Sequence, residues 1–267
     1  MGESEHPLRV MTFNMQVDRG DPPHNWRERR ASVVAMLRRE RPHLLATQEG
    51  LRHQVTDVQD GLGEQYAWTG EGREGGSRGE HMAVFHDRER LAPVAHGHFW
   101  LSDTQQVAGS ETWGGACPRM VTWVRFRDLA TGAQFLLANT HFDHVSAYAR
   151  SRSADLLAER LEVLAPAISR LVTGDFNTPA GDPEVHGPLL GRASLVDSWE
   201  VAEQRGPAHG TFHDYRPPEP DGPRIDWILA SQGTRVRSAA AVLPAPGDRA
   251  PSDHLPVTAV LHPATLP

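Results

Sequence analysis

The sequence contains a single cysteine, Cys117, and has neither a long apolar run nor an excess of positive charge. One cysteine cannot form an internal disulfide, which is typical of proteins from reducing compartments. The opening residues MGESEHPLRV lack a basic segment followed by an apolar one, so we expect no secretory signal and a cytoplasmic location. No apolar stretch approaches the roughly 20 residues of a membrane-spanning helix. We therefore expect no membrane association.

The formal net charge of -7 at pH 7 disfavours a generally basic surface for long nucleic acids. It predicts weak binding and weak activity on long duplex DNA. The arginine-rich segment 26–42 has apolar residues at near-helical spacing, with most arginines between them. We predict an amphipathic helix with a solvated arginine face, ended by Pro42, and favour this over a phosphate-binding role. No segment predicts a lipid-binding helix.

The chain of 267 residues, with 39% hydrophobic and 23% charged residues, is typical of a soluble globular protein. No Ser/Gly linker divides it. We predict a single domain over 1–267, with a core from about residue 8 to 262.

Apolar periodicity predicts many strands and few long helices. The predicted strands are 8–16, 43–50, 81–86, 121–128, 134–144, 168–174, 224–231, 235–243 and 256–262, and the predicted helices are 26–42, 51–60 and 147–165. This mixture favours an α/β layered sandwich of two sheets over a strictly alternating parallel fold. The glycine-rich segment 70–80 predicts a functional or mobile loop, with disorder as the alternative.

Polar residues follow the apolar strands at several separate strand ends. In 172-VTGDFNTPAGDP-183, side chains alternate along an extended backbone, so Asp175 and Asn177 should point the same way. The other polar strand ends are Asn14, Glu49, His141, Asp226, and Asp253 with His254. The recurrence of polar residues at strand ends predicts that one edge of the sheets brings oxygen ligands and two histidines together. Carboxylate and amide oxygens without cysteine favour Mg²⁺, with Mn²⁺ as a substitute.

A set of short motifs occurs in order between residues 12 and 257, namely 12-TFNMQ-16, 47-TQEG-50, 139-NTHFD-143, 173-TGDFNTP-179, 224-RIDWIL-229 and 252-SDHLPV-257. Together they resemble the endonuclease/exonuclease/phosphatase superfamily, the deoxyribonuclease I-like phosphoesterases. The resemblance implies a four-layer sandwich, in which two packed mixed β-sheets are flanked by helices. It also implies a divalent-metal site at one edge.

The resemblance assigns roles position by position. It places Asn14, Glu49 and Asp253 at the metal, and it places His141, Asp175, Asn177, Asp226 and His254 in catalysis. Within this set, Asp175 and Asn177 would orient or activate the attacking water, Asp226 would hydrogen-bond His254, and His141 would contact the phosphate. Whether Asp175 or His254 takes the proton is not decided by the sequence.

Physical chemistry supports these roles. A phosphodiester is anionic and repels hydroxide, so a catalyst must neutralise the non-bridging oxygens and position the nucleophile. A carboxylate beside a histidine fixes its tautomer and stabilises its cation, which suits the pair of Asp226 and His254 for proton transfer or phosphate binding.

Three further residues are candidates for substrate contacts, with a second-layer role as the alternative. Glu80, His81 and Arg119 lie in segments that members of the resembled family bring near the substrate, and Arg119 could bind a phosphate with two hydrogen bonds. Asp143 and His144 extend the motif around His141 as candidate structural residues.

We therefore expect a Mg²⁺-dependent phosphoester hydrolase, acting as a phosphodiesterase or nuclease on a short nucleic acid or small phosphodiester by in-line attack of water. The alternatives are a phosphomonoesterase, a lipid phosphoesterase, and a catalytically silent binding protein on the same fold. A zinc hydrolase, suggested by 15 histidines and by 141-HFDH-144, lacks the expected additional histidine nearby. We expect a monomer without a protein partner.

Overall fold

The strands form two β-sheets, of seven and six strands, in a computed structural model that describes residues 6–245 and 247–264. The strands are β1 (Leu8–Asn14), β2 (Leu44–Gly50), β3 (Tyr66–Thr69), β4 (His81–Asp87), β5 (Leu91–Trp100), β6 (Met120–Asp128), β7 (Gln134–His141), β8 (Ser169–Asp175), β9 (Leu195–Asp197), β10 (Gln204–Arg205), β11 (Asp226–Ser231), β12 (Arg235–Ala241) and β13 (Val257–His262). The helices are α1 (Trp26–Glu40), α2 (Arg52–Leu62), α3 (Ala147–Leu164), α4 (His186–Gly191) and α5 (Ser198–Val201).

Both sheets mix parallel and antiparallel pairs. The first sheet has the order β10-β12-β13-β1-β2-β4-β3, and the second has the order β5-β6-β7-β8-β11-β9. Near the centre of each sheet lies one parallel pair, β1 with β2 and β7 with β8. The carboxyl ends of these four strands therefore lie side by side within each sheet.

The sheets and helices are arranged in four layers. Helices α1 and α2 pack on the outer face of the first sheet through a cluster that includes Trp26, Val33, Met11 and Phe13. Helix α3 packs on the outer face of the second sheet, where Leu157 and Leu161 meet Leu136 and Val172. A third apolar cluster joins the two sheets, with members such as Leu8, Val10, Phe135 and Leu137. The predicted four-layer sandwich of two mixed sheets is confirmed.

Helix α1 begins and ends close to the predicted positions, but one of its arginines is not solvated. The side chain of Asn25 accepts a hydrogen bond from the Glu28 amide at the start, and the left-handed Arg41 ends the helix before Pro42. The guanidinium of Arg29 is fully buried. None of the helices in the described ranges has both the length and the apolar character to cross a bilayer.

Four of the described strands, β3, β5, β9 and β10, were not predicted from the sequence, and β9 and β10 are only three and two residues long. Strand β5 contains Pro93 and Gly97, which disfavour a central strand, but it lies at the edge of its sheet and has an irregularity between Pro93 and Ala95. Strand β3 is only four residues long and mostly half-buried. The second strand of the predicted hairpin ends at His141 instead of residue 144.

The space between the sheets becomes more polar towards one edge. Because side chains alternate along a strand, every second residue of β1 and β7 points between the sheets. Leu8 and Val10 of β1 are apolar, whereas Thr12 and Asn14 further along are polar and fully buried. Strand β7 has the same order, since Phe135 and Leu137 precede the buried Asn139. The apolar core thus gives way to a polar layer.

Two amides join the sheets within this polar layer. Gln48 on β2 donates from Nε2 to Oδ1 of Asn139 on β7 over 2.7 Å and to Oγ1 of Thr12 over 3.1 Å. In return, Nδ2 of Asn139 donates to the carbonyl oxygens of Thr47 and Ala83 at 2.9 and 3.1 Å. The amides of Gln48 and Asn139 therefore set the separation of the sheets directly beneath the polar edge.

We expect Asn139→Leu to lower the free energy of unfolding by about 3 kcal/mol, because it leaves buried donors and acceptors unpaired. Urea denaturation would measure this loss. The double variant Gln48→Leu/Asn139→Leu should lose less than the sum of the two single variants, because each single change leaves the other amide buried without its partner. Strictly additive losses would show that the two amides do not act together.

Candidate active site

A cleft of about 690 Å³ opens at the polar edge of the two sheets. Most of the residues predicted for metal binding and catalysis line it, namely Glu49, His141, Asp175, Asn177, Asp253 and His254. Asn14 and Asp226 are fully buried and contact the residues that line it. The structure thus brings together all eight residues that the resemblance assigned to the metal and to catalysis.

Strand pairing places three of these side chains at one edge. Asp175 is the last residue of β8 and pairs with His141, the last residue of the parallel β7. Across the antiparallel β11, Asp175 pairs with Asp226. Only glycine fits at position 174, because a Cβ there would lie 2.4 Å from the carbonyl oxygen of Thr140. That close approach keeps β7 and β8 in register up to the site.

Four residues that line the cleft have left-handed backbone conformations, with φ of 55° for Gln16, 65° for Glu49, 50° for Asn177 and 47° for Asp214. Residues other than glycine rarely adopt this region, and such strain is concentrated at functional sites. At Glu49 the conformation coincides with an irregularity in the pairing of β2 and β4 between Thr47 and Gly50. The strand is therefore distorted at the residue that the resemblance assigns to the metal.

Asn14 connects the two principal carboxylates of the site. Its Nδ2 donates to Oε1 of Glu49 at 2.9 Å and to Oδ2 of Asp175 at 3.0 Å. The amide is held in turn by the backbone N–H of Gln16, which donates to Oδ1 over 2.9 Å. The other oxygen of Glu49 accepts from the backbone N–H of Val17 at 2.9 Å. One neutral amide thus fixes the separation of two negative groups.

Asp175 carries a carboxyl group whose protonation changes near neutral pH. Burial and the neighbouring charge of Asp226 raise its pKa to about 7, although hydrogen bonds from Asn14 and from the Asn177 backbone oppose the shift. A carboxylate with a pKa near the working pH is suited to accept a proton.

His254 is hydrogen-bonded to Asp226, with 2.9 Å between Nδ1 and Oδ2. Burial alone would lower the pKa of His254, but the charges of Asp226 and Asp175 outweigh it and raise the pKa to about 10. Its Nε2 lies 3.7 Å from Oδ2 of Asp175. His254 is therefore a buried imidazolium beside the proton-accepting carboxylate.

His141 has the opposite character. Burial and the charge of Arg119 hold its pKa well below the usual value, so the ring is neutral. Asn177 donates from Nδ2 to Nε2 of His141 at 3.0 Å and to the carbonyl oxygen of Phe142 at 2.9 Å. The Phe142 carbonyl can only accept a hydrogen bond, so the atom of the Asn177 amide that faces it must be the nitrogen. The amide oxygen Oδ1 therefore remains to bind a ligand.

The donor set fits a divalent cation. One ligand atom each from Glu49, His141 and Asp175 lie within 4.8 Å of one another. Because Nε2 of His141 already accepts from Asn177, the carboxylate oxygens of Glu49 and Asp175 are the atoms of this group that fit a hard cation. Burial and the repulsion from Glu49 raise the pKa of Asp253, and the charge of His254 opposes this shift. A second group, Asp175, Asp226 and His254, also meets the distance condition. It fits less well, because Asp226 and His254 already bond to each other.

Arginines supply the permanent side-chain cations of the cleft, since the sequence contains no lysine. The predicted Arg119 lines the cleft, and its Nη2 lies 2.9 Å from Nδ1 of His144. Arg19 and Arg73 also line the cleft. Sequence reasoning did not identify these two. Arg73 lies in the glycine-rich segment 70–80, so that segment was the available signal.

The other candidate residues lie in different environments. Glu80 lines the cleft, as predicted, whereas His81 is fully buried, is not among the lining residues and lies 3.1 Å from the Gly79 carbonyl through Nδ1. The structure therefore does not place His81 at the cleft surface, and its burial favours the alternative of a second-layer role. Asp143 is structural, since it accepts from the backbone N–H groups of residues 116, 145 and 146. Burial raises the pKa of Cys117, so its thiol stays protonated.

The model of the endonuclease/exonuclease/phosphatase family matches residues 11–254. Among solved structures, a mannosyl-6-phosphatase from Bacteroides thetaiotaomicron is 30% identical, with 96% of this chain and 99% of that chain covered and a TM-score of 0.88. A family protein from Bacteroides vulgatus is also 30% identical, with coverage of 97% and 99% and a TM-score of 0.90. No curated protein matches the sequence.

The catalytic domain of human Nocturnin is a more distant structural match. It is 20% identical over 96% of this chain and 94% of that domain, with a TM-score of 0.76. At this identity the similarity shows a common fold and nothing more.

Arg29 of helix α1 is a buried anchor that sequence reasoning missed. Its guanidinium donates to the carbonyl oxygens of Met15 at 2.6 Å, Gln16 at 2.9 Å and Pro251 at 2.9 Å, and its Nε donates to that of His24 at 2.7 Å. It therefore joins the loop after Asn14 to the loop before Asp253. The available signal was spacing, since position 29 follows Trp26 by three residues and precedes Val33 by four, on the apolar face.

We expect Arg29→Lys to loosen both loops, because an ammonium cannot reach the same carbonyl oxygens. Hydrogen exchange should accelerate in residues 14–18 and 250–254. The matched control is Arg170→Lys, since Arg170 also donates to backbone carbonyls but lies outside the cleft. It should lower stability without changing exchange in those two segments. Equal exchange in both variants would contradict the anchoring role.

Proposed function

The chain belongs to the endonuclease/exonuclease/phosphatase family, and we propose that its cleft hydrolyses phosphoester bonds with the help of a divalent cation, in the first place Mg²⁺. One observation carries the proposal. Glu49, Asp175 and His254 come from distant parts of the chain and meet in one cleft. Phosphoester hydrolysis needs a cation site, a positioned water and a group that stabilises negative charge, and these residues supply the parts.

Glu49 is the principal residue that would hold the cation, with Asn14 and Asp253 beside it. When bound, the cation would neutralise non-bridging phosphate oxygens and lower the pKa of a coordinated water. Gln16 supports the arrangement, because its Nε2 donates to Oδ2 of Asp253 at 2.9 Å. Oxygen ligands of this kind suit Mg²⁺ or Mn²⁺ better than Zn²⁺.

Asp175 and Asn177 position the attacking water. Both N–H bonds of the Asn177 amide are used by His141 and Phe142, so its Oδ1 can accept a hydrogen bond from water. The carboxylate of Asp175, with a pKa of about 7, then takes the proton. In this scheme Asp175 is the general base.

His254 acts as a cation, not as a base. Its raised pKa keeps the ring protonated, and the hydrogen bond to Asp226 uses Nδ1. The Nε2–H remains to donate to the phosphate as negative charge develops on its oxygens. Arg119 lies at the same cleft and adds a second positive group for a phosphate oxygen.

The substrate that the cleft favours is a small phosphoester. The formal net charge of -7 disfavours long nucleic acids, and the cations of the cleft are local. Arg19 and Arg119 line the space together with the charged ring of His254, which suits a doubly charged phosphomonoester. The similar mannosyl-6-phosphatase from Bacteroides thetaiotaomicron is consistent with this choice. A small phosphodiester or short nucleic acid is the second candidate, because the cleft volume of about 690 Å³ exceeds that of a phosphate group.

We expect Asp175→Ala and His254→Ala each to lower kcat about 10²- to 10⁴-fold, because each removes a group that moves or stabilises charge. The assay is the hydrolysis of phenyl phosphate and of bis-p-nitrophenyl phosphate with Mg²⁺ or Mn²⁺. The ratio of the two rates would show whether the monoester or the diester is preferred.

The control for this pair is His186→Ala. His186 is also buried beside a carboxylate, with 3.3 Å between its Nε2 and Oδ2 of Asp197, but it does not line the cleft. Its activity should stay close to that of the wild type. Equal rates in the wild type, Asp175→Ala and His254→Ala would remove the catalytic assignment, and no hydrolysis above background in any of the three would favour a silent binding protein.

Mg²⁺ added to chelator-treated protein should raise Tm, because an ion that binds the native state stabilises it. Glu49→Gln should need at least about ten times more Mg²⁺ for the same shift, which corresponds to about 1.4 kcal/mol of binding free energy. The control is Glu200→Gln, whose exposed side chain lies outside the cleft. An unchanged Mg²⁺ response in Glu49→Gln would refute the cation site independently of turnover.

A further inference from the structure

The glycine-rich segment 70–80 forms an ordered turn at the cleft. The backbone N–H of Gly72 donates to the carbonyl of Gly76 at 2.8 Å, and that of Gly75 donates back to the carbonyl of Gly72 at 2.8 Å. A Cβ at Gly72 would lie 1.9 Å from the carbonyl oxygen of Arg78, so no other residue fits there. Gly75 and Gly76 have φ of 92° and 61°. The glycines therefore permit one tight conformation.

This turn places Arg73 and Glu80 side by side. The backbone N–H of Arg73 donates to the carbonyl of Glu80 at 2.9 Å, and Nη1 of Arg73 donates to Oε2 of Glu80 at 2.6 Å. The carbonyl of Arg73 accepts from Nε1 of Trp100 at 2.6 Å, which ties the turn to β5. The side chains are only 18% and 12% exposed, and both line the cleft. The pair is thus fixed before any ligand binds.

The pair is not used by the proposed hydrolysis. Within the described residues, neither side chain is hydrogen-bonded to Glu49, Asp175 or His254. Nε of Arg73 is buried and lacks a hydrogen-bond partner in the same part of the chain. A buried ion pair is costly to desolvate, and a site that retains one together with an unpaired donor indicates a polar ligand.

The chemistry of the pair selects the ligand. A second phosphate would meet the carboxyl group of Glu80, which offers mainly acceptor atoms, and an apolar group would leave the polar atoms of both side chains without partners. Adjacent hydroxyl groups fit, because each hydroxyl both donates and accepts, so one can donate to the carboxylate while its neighbour accepts from the guanidinium. The cleft also exposes the ring of Phe212, which is 51% accessible and 5.0 Å from the His254 ring. An aromatic face of this kind suits the C–H face of a sugar ring.

We infer that Arg73 and Glu80 bind neighbouring hydroxyl groups of a sugar or similar polyol that forms the leaving group of the phosphoester. The inference rests on the proposed function, since it names the alcohol part of the substrate of the same cleft. The phosphate would lie at His254 and Asn177, and the polyol would extend towards the glycine-rich turn.

The experiment compares hexose 6-phosphates with phenyl phosphate, whose leaving group has no hydroxyl group besides the one esterified to phosphate. The measured quantity is the ratio of kcat/KM for the sugar phosphate to kcat/KM for phenyl phosphate. A change at the cation or at the reacting phosphate acts on both substrates and cancels in this ratio. We expect Glu80→Gln and Arg73→Met each to lower the ratio about 10- to 100-fold, the loss expected for hydrogen bonds to charged groups.

Gly72→Ala disrupts the turn independently, without changing Arg73 or Glu80. The added Cβ would meet the Arg78 carbonyl oxygen, so the turn must open and the ratio should fall. The matched control is Gly187→Ala, because a Cβ there meets no atom within 4 Å. Its ratio should equal that of the wild type.

A ratio that is unchanged in Glu80→Gln, Arg73→Met and Gly72→Ala would overturn the polyol site while phosphate release still supported the hydrolase. If the wild type hydrolyses neither substrate, the proposed function fails instead. In that case, calorimetric titration with a hexose 6-phosphate tests the polyol site. Weaker binding of the sugar phosphate to Glu80→Gln than to the wild type supports the site, and equal binding overturns it.

Discussion

Two β-sheets can pack face to face only if the side chains between them are apolar or fully hydrogen-bonded, and this protein uses both solutions in one layer. Apolar residues such as Leu8 and Leu137 fill most of it. The 2.7 Å hydrogen bond between Gln48 and Asn139 lies where the apolar part of the layer ends, and it holds the sheets at a fixed separation. Beyond that bond the layer opens into the cleft. The positions of Glu49 on one sheet and Asp175 on the other therefore depend on this junction of neutral amides.

Burial also determines the electrostatics of the cleft. Carboxylates and histidines that would behave ordinarily in water are divided into different protonation states because each has different neighbours. The charge of Asp226 raises the pKa of both Asp175 and His254, which gives a carboxyl group that can take a proton beside an imidazolium that keeps one. His141, close to Arg119, is held neutral. A cation at Glu49 would complete a site in which positive and negative groups alternate.

The residues proposed for hydrolysis and the residues proposed for substrate binding lie in different parts of the fold. The groups assigned to hydrolysis lie at the ends of central strands or in the short segments next to them. Arg73, Glu80 and Phe212 lie on loops that reach the same cleft from the outside. Loops on a rigid scaffold can change without disturbing the strands, so one scaffold can serve different phosphoesters. Arg29 supports the hydrolysis part, because it fixes the loop after Asn14 and the loop before Asp253 to helix α1.

The sequence by itself determined nine of the thirteen described strands and the order of the polar strand ends, because the apolar periodicity of a strand is a local property of the chain. It also indicated the four-layer arrangement through its family resemblance. Tertiary structure alone decided that Arg29 is buried, that His81 points away from the cleft and that the turn 70–80 pairs Arg73 with Glu80. It also decided which histidine is charged. The physical reason is that the burial and pKa of a polar side chain depend on partners far away in the chain, and no local pattern records those partners.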